Sequence, residues 1–193
     1  MFIHAFEIIY LVGLVLGLII RGYYNKKFRQ DRLEIFRKEG PIIGVLASFW
    51  GLAIFMPVLS IFTTWMNISS YQLSSWTGWL GAVVFSAALW LLWRSHYDLG
   101  RSWSVTTEIK NRHKLVTEGV FRYIRHPMYS AHFLWGIAQV LLIHNWITGP
   151  AGIIVFIPLY ILRVKKEELM MLEEFGEEYR SYMKRTGRLI PRL

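Results

Sequence analysis

The sequence predicts an all-α polytopic membrane protein with five transmembrane helices and cytoplasmic C-terminal helices. Of its 193 residues, 54% are hydrophobic and only 18% are charged, whereas a soluble domain carries about 25% charged residues. Long apolar runs and a strict segregation of basic residues support the same class. We treat 1–193 as a single integral membrane domain. Residues 1–99 form its three-span part, and 100–193 hold the last two spans and the C-terminal helices.

Five apolar stretches set the expected spans, because a transmembrane helix needs roughly 17–25 apolar residues. Pro57 should kink the second span without ending it. Gly149-Pro150 should separate the last two spans as a tight helical hairpin. Gly13-x-x-x-Gly17 is expected to pack within the monomer rather than form a dimer face. The stretches are about 3–20, 41–66, 76–93, 127–147 and 150–163.

The basic residues predict the orientation of the chain in the membrane. All 22 Lys and Arg fall in three windows, with seven in 21–38, seven in 94–125 and eight in 163–192. Connections rich in basic residues therefore alternate with connections that have none, and the positive-inside rule places the basic ones in the cytoplasm. The N-terminus should lie outside, and the first apolar run should remain as a span because no signal-peptide pattern precedes it.

Composition also argues against several classes of function. The net charge of +9 arises from clusters that each flank a span, which is typical of attraction to anionic lipids rather than of nucleic-acid binding. The chain has no cysteine, so disulfides, thiolate metal sites and cysteine nucleophiles are excluded. The histidines are scattered without ligand spacing, and we expect no metal site.

The fifth apolar stretch is short, and Arg163 and Glu167 follow it on one helical face. Its 13 uncharged residues, 150–162, make roughly 20 Å of helix against roughly 30 Å of hydrocarbon. Arg163 should therefore lie near the cytoplasmic boundary, with Glu167 one turn later on the same face. The pair could be a snorkelling arginine beside a solvated helix, or it could face a polar pocket. Spacing alone leaves both readings open.

A polar loop, 113–129, runs directly into the fourth span and offers a second group of functional residues. Pro127 suits the first turn of a helix, which places His126 near the N-cap and Tyr129 within the same turn. The N-terminus of a helix favours an anion such as a carboxylate or a phosphate. The alternative is an interfacial loop whose aromatic residues anchor in the headgroups.

Four short motifs resemble the isoprenylcysteine carboxyl methyltransferase family, whose wider group includes phospholipid N-methyltransferases. The similarity lies in 100–193 and suggests a prokaryotic or archaeal member, whereas the first three spans match only as hydrophobic helices. The motifs are His113-x-Leu115-Val116-Thr117-x-Gly119-Val120-Phe121, Arg125-His126-Pro127-x-Tyr129, Arg163-x-x-x-Glu167-Glu168 and Phe175-Gly176-Glu177-Glu178-Tyr179.

The resemblance implies an integral membrane methyltransferase that uses S-adenosylmethionine and a lipid-like acceptor within the membrane. Glu167 should pair with the ammonium group of the cofactor, and Arg163 should meet the substrate; these two are the implied catalytic residues. Phe121 should lie beside the adenosine, where the family has tyrosine. The remaining implied cofactor contacts are His113, Lys114, Leu115 and Val116 at the adenosine, and His126, Pro127, Met128 and Tyr129 at the methionine moiety.

Arg163 favours a carboxylate acceptor, as in prenylcysteine methylation, because a carboxylate needs no general base and an arginine can orient it. An amine acceptor, as in phospholipid N-methylation, would need Glu167 or Glu168 to take a proton. A sterol-type membrane reductase that uses NADPH is a further alternative, since such enzymes look similar at their C-terminal ends. A transporter is disfavoured because the middles of spans two to five hold no charge.

Overall fold

The computed structural model describes residues 5–27, 40–64, 66–72, 74–100 and 115–192. Within these ranges the chain is helical, with two short 3-10 turns at Asn67–Ser69 and Gly119–Arg122. The only β pairing in the described residues is two isolated bridges. The long helices are α1 (Ala5–Lys27), α2 (Pro41–Phe62), α3 (Ser75–Leu99), α4 (Pro127–Leu142) and α5 (Thr148–Arg185).

Four of these helices, α1, α2, α3 and α5, are long and apolar enough to cross a membrane. The chain is therefore a multi-pass all-α membrane protein, but the predicted count of five spans is not confirmed. The predicted fourth span, 127–147, is shorter than expected, because α4 ends at Leu142 after 16 residues. That length gives about 24 Å of helix, less than the roughly 30 Å of the hydrocarbon core.

The connection between α4 and α5 lies earlier than the sequence indicated. We expected Gly149-Pro150 to separate the two helices, but both residues belong to the first turn of α5, which begins at Thr148. The turn is made instead by Asn145, whose side-chain oxygen accepts the N–H groups of Ile147 and Thr148 at 3.0 Å each. The side chain thus satisfies two N–H groups that have no partner within the helix.

The long α5 carries the chain from the membrane to the C-terminal segment. Gly176 interrupts the helical backbone of α5 with a φ of +49°. Helical structure resumes after it and continues to Arg185. Glycine suits this position because its lack of a Cβ permits a positive φ.

Close packing of α1 against its neighbours depends on two glycines. A Cβ atom added to Gly13 would lie 2.1 Å from the Phe85 ring, and one added to Gly17 would lie 2.4 Å from the Trp135 ring. Phe85 and Trp135 are buried in the main hydrophobic cluster and contact each other edge-to-face at 4.9 Å. The two glycines therefore pack within the monomer, as predicted.

A buried polar cluster joins four helices inside the apolar bundle. Pro57 lies within α2 without ending it, and because proline has no N–H, the carbonyl of Ala53 loses its helical donor. The Gln139 amide donates to that carbonyl at 3.2 Å and to the Thr148 carbonyl at 2.6 Å. The hydroxyl of Tyr10 donates to the Gln139 side-chain oxygen at 3.0 Å. Gln139 thus satisfies backbone groups where lipid and protein offer no water.

Replacing Gln139 by Leu should destabilise the bundle without changing its volume greatly. The Ala53 and Thr148 carbonyls would each lose a donor while buried, and such a loss costs about 1–3 kcal/mol. We expect a lower thermal midpoint of Q139L in detergent, measured by intrinsic tryptophan fluorescence.

Ser86 provides the control, because its hydroxyl bonds only to the Ala82 carbonyl within α3 and is exposed. S86A should unfold within about 0.5 kcal/mol of the wild type. Equal stability of Q139L and S86A would show that Gln139 does not hold the helices together.

Candidate functional site

The loop that enters α4 is fixed to the end of α3. The Asp98 carboxylate accepts the N–H of Val120 at 2.9 Å, and Arg94 pairs with the same carboxylate at 2.8 Å. Gly119, with a φ of +61°, allows this approach, because a Cβ there would lie 2.2 Å from the Asp98 carboxylate. The 3-10 turn at Gly119–Arg122 therefore has a defined position beside α3.

The C-terminal segment returns to the same loop and forms a second layer over it. The N–H of Arg125 donates to the Gly187 carbonyl at 2.8 Å, and the N–H of His126 donates to the Arg188 carbonyl at 3.1 Å. Gly187 also forms an isolated parallel bridge with Ile124. The hydroxyl of Ser130, in the first turn of α4, donates to the Leu189 carbonyl. The chain end thus lies against the start of α4.

Four side chains, which we call the Glu168 cluster, hold these segments together. The buried carboxylate of Glu168 accepts from Arg125 at 3.3 Å and from the Arg188 guanidinium, with one nitrogen of Arg188 at 3.0 Å. Nε2 of His126 lies 3.4 Å from the same carboxylate. Because several cationic donors already surround Glu168, it is poorly suited to act as a general base. The cluster consists of Arg125, His126, Glu168 and Arg188.

The adjacent carboxylate of Glu167 lies at the centre of a second group, the Glu167 cluster of His126, Tyr129, Arg163 and Glu167. The Tyr129 hydroxyl donates to Glu167 Oε1, and Nδ1 of His126 lies 3.5 Å from Glu167 Oε2. Nε of Arg163 lies 3.7 Å from Glu167 Oε1, which confirms the predicted i,i+4 pair. The Glu167 side chain remains 24% exposed, so a ligand can reach it.

His126 belongs to both clusters, because each of its ring nitrogens faces a different carboxylate. Both nitrogens can donate only when the ring is protonated. Burial disfavours the charged ring, but hydrogen bonds and attraction from Glu167 and Glu168 outweigh that effect and raise the pKa of His126 above 6.5. The geometry therefore favours an imidazolium that links the two carboxylates.

The structure brings together four of the residues named from the sequence, those of the Glu167 cluster, and gives others different surroundings. His126 is the N-cap of α4 and Pro127 its first residue, as predicted. Met128 packs against Tyr24 of α1. His113 and Lys114 lie outside the described residues.

The other three positions named for the adenosine site precede α4. Leu115 and Val116 lie in an irregular segment before the 3-10 turn and are partly buried. Phe121 is buried in that turn, and its carbonyl accepts the Tyr182 hydroxyl at 2.6 Å. Phe121 therefore also ties the loop to the C-terminal part of α5.

Sequence patterns predicted no role for Arg125, Arg188 or Ser130, although these residues fix the relative positions of the loop, α5 and the chain end. Arg125 reaches not only Glu168 but also the backbone carbonyls of Met183, at 3.2 Å, and Thr186. These partners lie 58 and 61 residues away, so no local periodicity could have revealed them. A basic residue next to the His-Pro step was the single visible signal.

The comparisons with known proteins point to one family. Residues 79–173 match the isoprenylcysteine carboxyl methyltransferase (ICMT) family. This match includes most of α3, so the similarity begins earlier than residue 100, where we had expected it. Protein-S-isoprenylcysteine O-methyltransferase of Homo sapiens is 34% identical over 87 residues, which are 45% of this chain and 31% of that protein.

Two further relatives of that name show the same partial coverage. The Schizosaccharomyces pombe protein is 31% identical over 94 residues, covering 48% of this chain and 40% of its own length. The Dictyostelium discoideum protein is 28% identical over 150 residues, covering 75% of this chain and 56% of its own length. The chain therefore spans about half or less of the length of these curated relatives.

A solved structure shows that the fold is shared more widely than the sequence match. The eukaryotic intramembrane Ras methyltransferase ICMT superimposes with a TM-score of 0.53 and 21% identity, covering 95% of this chain and 72% of that one. The fold and the two clusters define a helical, multi-pass membrane protein with a polar site at one end of its bundle. Residues 79–173, just under half of the chain, are similar to the ICMT family.

The raised pKa of His126 predicts how stability depends on pH. Because the pKa is higher in the folded protein than the unfolded value of 6.5, the stabilising contribution is fully present below about pH 6.5 and is lost as the pH rises through the folded pKa. The difference in thermal midpoint between wild type and H126Q should therefore shrink as the pH rises from about 6.5 through the folded pKa of His126.

His144 offers a matched control at the opposite end of α4, where its ring stacks on Tyr71 at 5.8 Å. The difference between wild type and H144Q, measured over the same range, gives the baseline for the loss of a histidine outside both clusters. A wild-type advantage over H126Q that grows with pH would contradict a protonated His126 between the two carboxylates.

Proposed function

We propose that this protein is a membrane methyltransferase that uses S-adenosylmethionine and methylates a carboxylate on a lipid-linked or otherwise hydrophobic acceptor. The observation that carries the proposal is the Glu167 cluster, in which a reachable carboxylate lies beside an arginine and the first turn of a helix. The family match and the relatives named protein-S-isoprenylcysteine O-methyltransferase support the same reaction.

The residues of the cluster suit the amino-acid end of the cofactor. Glu167 has about four acceptor positions on its two oxygens, so it can accept an ammonium group in addition to Tyr129. The start of α4, with Pro127 at its first position, offers backbone N–H groups and the positive end of the helix dipole to a carboxylate. We assign the methionine moiety to this corner, lined by His126, Pro127, Met128 and Tyr129.

The adenosine should extend from this corner towards the loop that precedes α4. His113, Lys114, Leu115 and Val116 are the residues that the family motif assigns to it, with Phe121 beside them. The 3-10 turn that contains Phe121 and the first turn of α4 can contact one ligand, because the turn is followed within five residues by the start of α4. This part of the proposal depends on the family motif rather than on contacts.

The acceptor is assigned to Arg163, whose guanidinium can orient a carboxylate. The cofactor supplies a methyl group on a sulfonium sulfur; when the carboxylate oxygen forms the new C–O bond, the S–C bond breaks and its electron pair stays on sulfur. No proton has to be removed from a carboxylate, so the engagement of Glu168 with Arg125, His126 and Arg188 is compatible with the reaction. The chain contributes alignment and exclusion of water.

We further infer that the site faces the cytoplasm and that the N-terminus lies outside. The positive-inside rule supports this orientation, because the described parts of the basic windows, 21–27, 94–100, 115–125 and 163–192, adjoin the site end of the bundle. A water-soluble cofactor and a lipid-linked acceptor would meet at that boundary.

S-adenosylhomocysteine should bind the purified protein and raise its thermal midpoint, and E167Q should lose this effect. Glutamine keeps the shape of the side chain but removes the charge that would attract an ammonium group. Loss of a charge-assisted hydrogen bond costs about 1.5–3 kcal/mol, so we expect the dissociation constant from calorimetry to rise at least about tenfold.

Glu177 is the matched control on the same helix, because it is exposed and pairs with Arg180 at 2.6 Å. E177Q should bind S-adenosylhomocysteine like the wild type. Absence of binding to the wild type, or methyl transfer to an aminophospholipid but not to a prenylcysteine acid, would refute the proposed reaction.

A further inference from the structure

Arg21 is a charged residue within the first helix that the proposed reaction does not yet use. It lies six residues before the end of α1 at Lys27 and is partly buried between helices. An arginine at membrane depth is costly to keep there unless it has a partner or a function. In the part of the chain that the structure describes, no carboxylate forms an ion pair with Arg21.

The guanidinium of Arg21 is held in place by an aromatic platform. Its central carbon lies 5.8 Å from the ring centre of Trp50, a buried residue of α2. Trp50 is fixed in turn by edge-to-face contact with His132 at 4.5 Å and by Phe156 at 5.4 Å. Nδ1 of His132 bonds to the Met128 carbonyl at 2.6 Å. The platform therefore connects Arg21 to α2, α4 and α5.

The platform links Arg21 to the Glu167 cluster, because Phe156 also packs against Tyr129 with ring centres 6.0 Å apart. Arg163 belongs to the same cluster, beside Glu167, so the positive charges of Arg21 and Arg163 lie in the same part of the bundle. Two like charges near each other in a poorly solvated region are unfavourable. Glu167 lies beside Arg163 and compensates one of these charges. The two carboxylates of this region, Glu167 and Glu168, are outnumbered by its cations, so a carboxylate ligand would reduce the excess of positive charge. The cations are Arg21, Arg125, a protonated His126, Arg163 and Arg188.

We propose that Arg21, together with Arg163, binds the carboxylate of the methyl acceptor and that this pair selects an acid over an amine. The inference rests on the proposed methyltransferase function and extends it to substrate choice. Arg21 approaches from α1 and Arg163 from α5, so the carboxylate lies between two cations while its hydrophobic chain continues towards the lipid. A protonated amine at the same place would be repelled by both cations.

Arg21 could bind the carboxylate of the cofactor instead, since the cofactor and the acceptor each carry a carboxylate. The two sources differ in what Arg21 should affect. If Arg21 binds the acceptor, its removal weakens the binding of the acid acceptor and leaves the binding of S-adenosylhomocysteine unchanged. If it binds the cofactor, its removal weakens S-adenosylhomocysteine binding.

The test uses the full-length chain in detergent or nanodiscs, a prenylcysteine acid as acceptor and R21M, which keeps the apolar stem. We expect the KM for the acid to rise at least about tenfold, as the loss of one charge-assisted contact implies. The dissociation constant of S-adenosylhomocysteine should stay within about twofold of the wild type. Inhibition by the corresponding methyl ester, which has no carboxylate, should not change.

Lys27 is the matched control, because its ammonium also lies over an aromatic ring, that of Tyr23 at 5.6 Å, on the same helix. K27M should retain the wild-type KM for the acid.

If R21M does not bind S-adenosylhomocysteine because it fails to fold, R21K decides the question. R21K keeps the charge but not the paired donors, and its preference for the acid over the ester should fall.

A wild-type KM in R21M, or an unchanged preference for the acid in R21K, would overturn the role of Arg21 while the proposed reaction stands. A folded R21M that loses affinity for S-adenosylhomocysteine but not for the acid would assign Arg21 to the cofactor and overturn the inference. Absence of methyl transfer by the wild type would overturn the proposed function and this inference with it.

Discussion

Two arginines and a histidine converge on the buried carboxylate of Glu168, and this contact determines where the rest of the site lies. Arg125 and His126 precede α4, Glu168 belongs to α5, and Arg188 follows α5. One carboxylate therefore fixes the start of one helix, the middle of another and the end of the chain. Glu167 directly precedes Glu168 on α5. The contacts of Glu168 therefore also place Glu167 against the first turn of α4, where it meets His126 and Tyr129. Removing one member of such a cluster would leave the remaining charges unpaired, which costs more than the pair itself contributes.

A different kind of contact holds the helices together in the apolar part of the bundle. Pro57 removes an N–H from α2, and Gln139 of α4 supplies the donor that Ala53 lacks. Tyr10 and Thr148 connect the same side chain to α1 and α5. Where no water is available, each of these hydrogen bonds prevents an unsatisfied backbone or side-chain group. The bundle therefore has a polar connection at depth as well as the ionic connections at its end.

The sequence could predict the parts of this arrangement that depend on local spacing. Arg163 and Glu167 were expected on one helical face because they are four residues apart, and Pro127 was expected to start a helix because its missing N–H costs nothing there. The predicted length of α4 and the predicted start of α5 were wrong. The Asn145 side chain accepts N–H groups at the start of α5, and hydropathy does not reveal such a contact. The pairing of Arg125 with Glu168 joins residues 43 positions apart, and no periodic pattern specifies such a contact.

The shortness of α4 explains why a polar site can exist within an apolar bundle. The end of α4 lies beside the connection between α2 and α3. The N–H of Trp146 donates to the Ser69 carbonyl at 2.9 Å, and the N–H of Tyr71 donates to the His144 carbonyl at 3.0 Å. α2 and α3 are six and nine residues longer than α4, which is about 9–14 Å of helix. The loop before α4 lies beside the end of α3, where Val120 donates to Asp98 at 2.9 Å. His126 lies at this end of the bundle with only 10% of its side chain exposed. Limited access of water there strengthens the interactions of Glu167 with any charged ligand.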